Sequence, residues 1–284
     1  MNLMKRDTKI FIASLFLTAL AACTPSQGNE LRTLAQSDPV TAETTAKDQS
    51  LKEEPTATIT VGQAQRVSFE SADATKIVGS FYQSSTAKSP TVLLLHQWGS
   101  NRQSYDGFAK YLQRKGFNAL AIDGRGFGES TKQADRTIPP SRSADAVAGM
   151  LSDVKAALIF LKTQPNVDSS RIGIVGASYG SSLAIIYAGD DLQVKTLVLL
   201  SPGLNYFGNL PTEPAAKKYG SRPLLLVAAA DDKESAKASS QLDRLASGEK
   251  HYLKIYPLSG HGTGIFAAGV GLEKEIEQFL TSTL

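Results

Sequence analysis

Ser178 stands in Gly176-Ala177-Ser178-Tyr179-Gly180, directly after the apolar run Arg171-Ile172-Gly173-Ile174-Val175 and before the helix-compatible stretch Ser181-Ser182-Leu183-Ala184-Ile185-Ile186-Tyr187-Ala188. Strand, sharp turn and helix in that order strain the backbone of the apex residue and require small neighbours around it. A hydroxyl is thereby lifted off the C-terminal edge of a sheet, and the N–H groups of a helix N-terminus point at whatever it attacks. A serine hydroxyl is a weak nucleophile at neutral pH, so it needs a base within hydrogen-bond reach and an acid that orients the base. The chain has three histidines. His251 falls at the start of the last strand, at the sheet edge opposite the serine. His96 closes the strand 91–95 and lies near the site. His261 sits in Leu258-Ser259-Gly260-His261-Gly262-Thr263-Gly264, a glycine-rich loop from which an imidazole can swing over the serine, and it is the candidate base. Two candidate acids, Asp231 and Asp232, follow the apolar strand 223–229. For Asp231 there is a second reading, as a carboxylate capping the helix that begins near Lys233.

These residues need a scaffold, and the rest of the chain supplies an alternation of strand and helix patterns. Strands are predicted at 65–69, 77–82, 91–95, 118–122, 171–175, 196–200, 223–229 and 252–256, and helices at 105–115, 142–163, 178–188, 233–247 and 272–281. Such alternation predicts an α/β domain with a mostly parallel sheet covered on both faces. Val147, Met150, Leu151, Val154, Ala157, Leu158 and Leu161 recur at the i, i+3, i+4 spacing of a helix packed on a sheet, which assigns them to the core.

The elbow and its flanks resemble the nucleophile elbow of the α/β-hydrolase family, and the chain order Ser178, Asp232, His261 matches the nucleophile, acid, base order of that family. The resemblance covers about 58–284 and implies an eight-stranded, mostly parallel sheet. Aligning Ala229 with the glycine of the family's Gly-x-x-Asp favours Asp232 as the acid. In the same resemblance His96 is structural. The oxyanion donors are the Tyr179 N–H and, from His96-Gln97-Trp98-Gly99, the Trp98 N–H, with the Gln97 N–H as the lesser alternative. Gln97 replaces a glycine of the family pattern, a departure that can put a side-chain amide beside the substrate. The loop Asp123-Gly124-Arg125-Gly126-Phe127-Gly128-Glu129-Ser130 resembles a structural loop of the family. Arg125 is read as bracing the backbone, with bidentate binding of a substrate carboxylate as the alternative. Between Ser201 and Arg222, where many relatives carry a helical cap, a short insert leaves the cap minimal and the site open, lined by Leu204, Tyr206, Phe207 and Trp98. That opening suits short acyl esters, or an acyl group displayed on something larger. The implied activity is ester hydrolysis through an acyl-enzyme. A peptidase of the same fold and a catalytically silent surface-binding module are the alternatives. A serine at the elbow argues against epoxide hydrolases and haloalkane dehalogenases, which need an aspartate there. No metal cluster or phosphate loop is visible, and Gly124-Arg125-Gly126-Phe127-Gly128 has the wrong spacing for a dinucleotide site, so no cofactor is expected.

The formal net charge is +3, and Lys5, Arg6, Asp7 and Lys9 together account for +2 of it, which gives no footing for a nucleic-acid partner. Those charges precede an apolar run at 10–22 that is too short to span a bilayer comfortably and reads as a signal peptide, 1–22. Leu20-Ala21-Ala22-Cys23 resembles a bacterial lipobox, which implies cleavage before Cys23, acylation of that residue and a lipid anchor in the membrane. Cys23 is the only cysteine of the chain, so no internal disulfide can form. Ordinary cleavage near Ala19-Leu20-Ala21, leaving a free thiol, is the alternative. Residues 23–57, poor in large apolar side chains, read as a tether, and the domain as 58–284. In the lipoprotein resemblance an Asp at the position of Thr24 would mean inner-membrane retention, so its absence implies the outer membrane, if the cell has one.

Overall fold

The structure is a computed structural model that describes residues 61–284. The expected signal peptide, Cys23, the tether and the predicted domain start at 58 lie outside the described residues.

Eight strands build the sheet: β1 (Gln65–Glu70), β2 (Thr75–Tyr82), β3 (Ser89–Leu95), β4 (Asn118–Ile122), β5 (Val167–Ala177), β6 (Val194–Leu200), β7 (Leu224–Ala229) and β8 (His251–Tyr256). Their order across the sheet is β1-β2-β4-β3-β5-β6-β7-β8. β3 to β8 run parallel, and β2 is antiparallel to both of its long neighbours, β1 and β4. Every predicted strand is present, with ends that differ by at most four residues. A two-residue hairpin, Lys132–Gln133 with Arg136–Thr137, lengthens the sheet on the free part of the β2 edge and was not predicted.

The central parallel strands carry apolar runs because both faces are covered there, whereas β8 at the sheet edge is half-exposed. Side chains alternate across a strand. Leu93, Leu95, Ile172, Ile174, Leu197, Leu199, Leu224 and Leu226 therefore enter one core, beneath α2 (Ala144–Lys162), α3 (Tyr179–Asp190), α4 (Thr212–Tyr219) and α5 (Lys233–Asp243). Val92, Leu94, Val175, Ala177, Val198, Leu200, Leu225 and Val227 enter the other, against α1 (Asp106–Arg114), the short α6 (Gly264–Ala267) and α7 (Leu272–Thr283). No described helix is long and apolar enough to cross a membrane.

The short insert between Ser201 and Arg222 holds a two-residue hairpin, Asn205–Tyr206 with Leu210–Pro211, and then α4, a helix that was not predicted, which packs on α3 and completes the crossover from β6 to β7. Helix α4 has only eight residues and contains Pro214, which reads as a breaker in sequence. In the first turn of a helix a proline has no intrahelical hydrogen bond to lose.

Strand register decides where the loops emerge. Leu95 is level with Gly176, Ala177 with Leu200, and Leu200 with Val227, so β3, β5 and β6 end together while β7 runs two residues further. Residues 96–99, 178–180, 201–204, 231–232 and 257–263 thus gather at one C-terminal edge, where open parallel sheets bind their ligands.

Candidate active site

Ser178 lies between β5 and α3 at φ 54° and ψ −122°, a positive φ that a residue with a side chain adopts only under constraint. The constraint is visible on both sides. The Ser178 N–H donates to Leu200 O at 2.8 Å, tying the apex to β6. A Cβ at Gly176 would stand 2.4 Å from Gly180 O, and one at Gly180 would stand 2.5 Å from Leu95 O. Gly176 and Gly180 are therefore the space in which the turn is made, as the sequence pattern requires.

Tyr179 is the first residue of α3, so its N–H has no acceptor within the helix. The Trp98 N–H makes no hydrogen bond among the described residues. The Trp98 ring packs edge-on against Tyr179 (5.5 Å between centroids), Phe127 (4.9 Å) and Phe207 (4.8 Å). Arg142, which sequence reading passed over, lays its guanidinium over Trp98 at 4.8 Å and Phe207 at 4.7 Å. Nothing near Arg142 in the sequence signals this contact, which is made by a loop and a hairpin distant along the chain.

The two carboxylates after β7 divide the work. Asp232 Oδ2 lies 2.6 Å from His261 Nδ1, while Asp232 Oδ1 accepts from the Ser235 N–H at 3.3 Å and caps α5. Burial works to raise the pKa of Asp232, but hydrogen bonds from Ser235 and His261 outweigh it and hold the carboxyl below its usual value. Asp231 is not the helix cap that its position offered. Its carboxylate accepts from the Ser259 and Gly260 N–H groups at 3.2 Å each, immediately before His261. With Asp232 accepting at Nδ1, the neutral imidazole carries its proton there and Nε2 keeps a lone pair. No hydrogen bond joins His261 to Ser178 among the described residues.

The other two histidines are held elsewhere. His96 is buried, and its Nε2 accepts from the Gly124 N–H at 2.9 Å, which places the ring proton on Nδ1 for donation to Gln97 O at 2.7 Å. Burial pushes its pKa down, keeping the ring neutral. His251 lies at the far end of β8, with Nδ1 2.9 Å from Gly248 O. Arg125 binds Asp153 bidentately, both bonds 2.7 Å, and reaches Asp73 at 2.7 Å, so its guanidinium braces α2 against the β1–β2 turn.

The four expected pocket residues fall into two groups. Leu204 and Tyr206 line a cavity of about 290 Å³ together with Glu234, Ser235, Lys237 and Ala238 from the start of α5. Phe207 and Trp98 instead pack against each other. Gln97 departs from its expected place beside the substrate: its Oε1 accepts from the Thr263 N–H at 2.7 Å and from Thr263 Oγ1 at 2.8 Å, and so faces the histidine loop. Two unsatisfied donors on that loop attract the amide oxygen more strongly than an open cleft does. Among the described residues no group of three or more His, Cys, Asp or Glu side chains is placed to hold a metal ion.

The order of the sheet, the strained serine and the loops at its C-terminal edge define a protein of the α/β-hydrolase fold. More narrowly, the chain belongs to the Dienelactone hydrolase family, whose pattern matches residues 77–268. It is 30% identical over 143 residues to a thiohydrolase, apmlB, of Arthrinium phaeospermum, covering 50% of this chain and 44% of that protein. The chain spans about half the length of the first curated relatives it matches. Among solved structures, dienelactone hydrolase from Anabaena variabilis superposes with a TM-score of 0.62 at 20% identity, over 78% of this chain and 99% of that one. Acetyl xylan esterase 1 from Thermoanaerobacterium sp. superposes with a TM-score of 0.64 at 18% identity, over 77% and 83%. Both likenesses concern the fold.

Proposed function

We propose that the protein is a serine hydrolase of carboxylic esters, with Ser178 as nucleophile, His261 as general base and Asp232 as the orienting acid. The observation that carries the reading is the juxtaposition, at one sheet edge, of a serine held at positive φ before a helix and an Asp232–His261 pair 2.6 Å apart. In this mechanism the Ser178 hydroxyl attacks the ester carbonyl and its proton passes to His261 Nε2. The carbonyl oxygen becomes an oxyanion facing the Tyr179 and Trp98 N–H groups. Collapse of the tetrahedral species expels the alcohol, protonated by His261, and leaves an acyl-serine. Water, deprotonated by the same imidazole, then releases the acid and restores the hydroxyl. The missing contact between His261 and Ser178 has to form when substrate binds, a tightening common at unliganded sites. Short acyl esters are the proposed substrates, and the thiohydrolase among the relatives makes a thioester, with a thiol as leaving group, a second substrate to assay. Cys23 is proposed to be acylated and to anchor the enzyme to the cell envelope.

The test compares wild type with Ser178→Ala in p-nitrophenyl butyrate hydrolysis and in labelling by a fluorophosphonate. Loss of both in the variant, with a rate reduction on the order of 10³-fold or more, supports the mechanism. Unchanged turnover in Ser178→Ala overturns it. Metabolic labelling with palmitate that survives Cys23→Ser overturns the anchor.

A further inference from the structure

The histidine loop is held by side chains from three other loops. On the N-terminal side of His261, the Ser259 and Gly260 amides donate to Asp231. On the C-terminal side the Gly262 N–H donates to Ser201 Oγ at 2.9 Å, and the Thr263 N–H and hydroxyl both donate to Gln97 Oε1. Asp231 and Ser201 belong to the ends of β7 and β6. Gln97 is different, because it belongs to the loop whose next residue carries the Trp98 N–H.

Three observations make the Gln97 contact more than a convenient hydrogen bond. Its two donors are on one residue, so the amide oxygen fixes both the backbone and the side chain of Thr263. Gly262 has φ +60°, and a Cβ there would stand 2.4 Å from Gln97 Oε1, so the loop is shaped around the amide. Finally, the Gln97 carbonyl is itself fixed, accepting from His96 Nδ1 at 2.7 Å and from the Ser100 N–H at 3.2 Å. A buried histidine thus anchors one end of the strut and the histidine loop receives the other.

We infer that Gln97 is a positioning residue: its carboxamide sets the loop of His261 against the loop of Trp98, so that the base and the oxyanion donor keep one register. The inference rests on the serine-hydrolase reading above. A glycine at this position has no side chain to reach Thr263, so the departure from the common pattern carries a role of its own.

The test uses the full-length protein in detergent, with Gln97→Leu to remove the acceptor at similar volume, Thr263→Val to remove one donor, and Thr263→Ser to restore it. With p-nitrophenyl butyrate, Gln97→Leu is expected to lower kcat by 10-fold to on the order of 10²-fold, the effect of a sub-ångström to ångström misplacement, with KM changed less than about threefold. Thr263→Val should fall in the same direction and Thr263→Ser should recover most of the loss. A readout independent of turnover is the downfield Nδ1–H proton of His261 in the Asp232 hydrogen bond, observed by NMR with ¹⁵N-labelled histidine. It is expected to be sharp in wild type and in Ser178→Ala, and broadened by exchange in Gln97→Leu. Gln97→Leu with an unchanged imidazole resonance overturns the inference, as does Gln97→Leu with kcat within about twofold of wild type. If instead Ser178→Ala keeps its turnover, the catalytic reading fails, and the resonance alone still decides whether Gln97 positions the histidine.

Discussion

At the scale of single residues, two neighbouring carboxylates make different predictions. Asp232 fixes the tautomer of His261, so Asp232→Asn should lower kcat by 10³- to 10⁴-fold while the protein stays folded, as measured by ester hydrolysis beside circular dichroism. Among the described residues the Asp231 carboxylate accepts hydrogen bonds from loop amides alone, so Asp231→Asn, which retains an acceptor oxygen, should lower kcat by no more than roughly tenfold. A larger loss in Asp231→Asn than in Asp232→Asn would exchange their roles. Ser178 also carries a backbone cost, which the proposed nucleophile role would require. At φ 54° a side chain is strained, and Ser178→Gly should raise the unfolding free energy by about 1 kcal/mol while abolishing labelling. Chemical denaturation of the two proteins measures this directly, and a less stable glycine variant would refute the strain.

At the scale of elements, the sheet ends are kept level by packing beneath them. Ile174 is fully buried in β5, four residues before the serine. Ile174→Ala should cost about 2–5 kcal/mol in urea-induced unfolding, because the lost transfer energy and the cavity add. Helix α2 is held to the sheet margin through Arg125, whose partner Asp153 is buried with it. Removing one member of such a pair leaves an uncompensated buried charge, so Arg125→Met should cost about 3–5 kcal/mol, and the double variant Arg125→Met/Asp153→Leu should regain most of it. A double variant as unstable as the single one would show that packing, not charge, sets the loss. Arg125 therefore belongs to the scaffold, bracing α2 against the β1–β2 turn.

At the scale of the whole molecule, acid should unfold the domain through a few paired carboxylates. Hydrogen bonds to Arg125 lead the causes that lower the Asp73 pKa from 3.8 to about 2, and hydrogen bonds to Arg66 and Arg102 bring Glu129 from 4.5 to about 2. A carboxyl with a depressed pKa in the folded state binds fewer protons there than when unfolded. Its contribution is present above the unfolded value and is lost as pH falls through the folded one. Stability should therefore fall between about pH 4 and pH 2, and Asp73→Asn should flatten that limb while lowering stability at pH 7. Thermal unfolding across pH 2–7 checks the sign, and a variant limb as steep as that of wild type would remove Asp73 from the account.

The alternation of elements was legible in the sequence, because short apolar runs bounded by turn residues alternate with longer segments of helical periodicity, the pattern of a parallel sheet covered on both faces. The sequence by itself also determined the serine turn, since Gly176 and Gly180 are demanded by backbone contacts within a few residues of Ser178 or on the adjoining strand. Helix α4 was illegible because Pro214 reads as a breaker until it is seen to occupy a first turn. The choice between Asp231 and Asp232, the direction of the Gln97 amide and the stacking of Arg142 were decided only in three dimensions. Each depends on partners about thirty to more than a hundred and sixty residues away. Periodicity reports which face of an element is buried, whereas the partner of a polar side chain is chosen by the unsatisfied donors that tertiary packing brings within its reach.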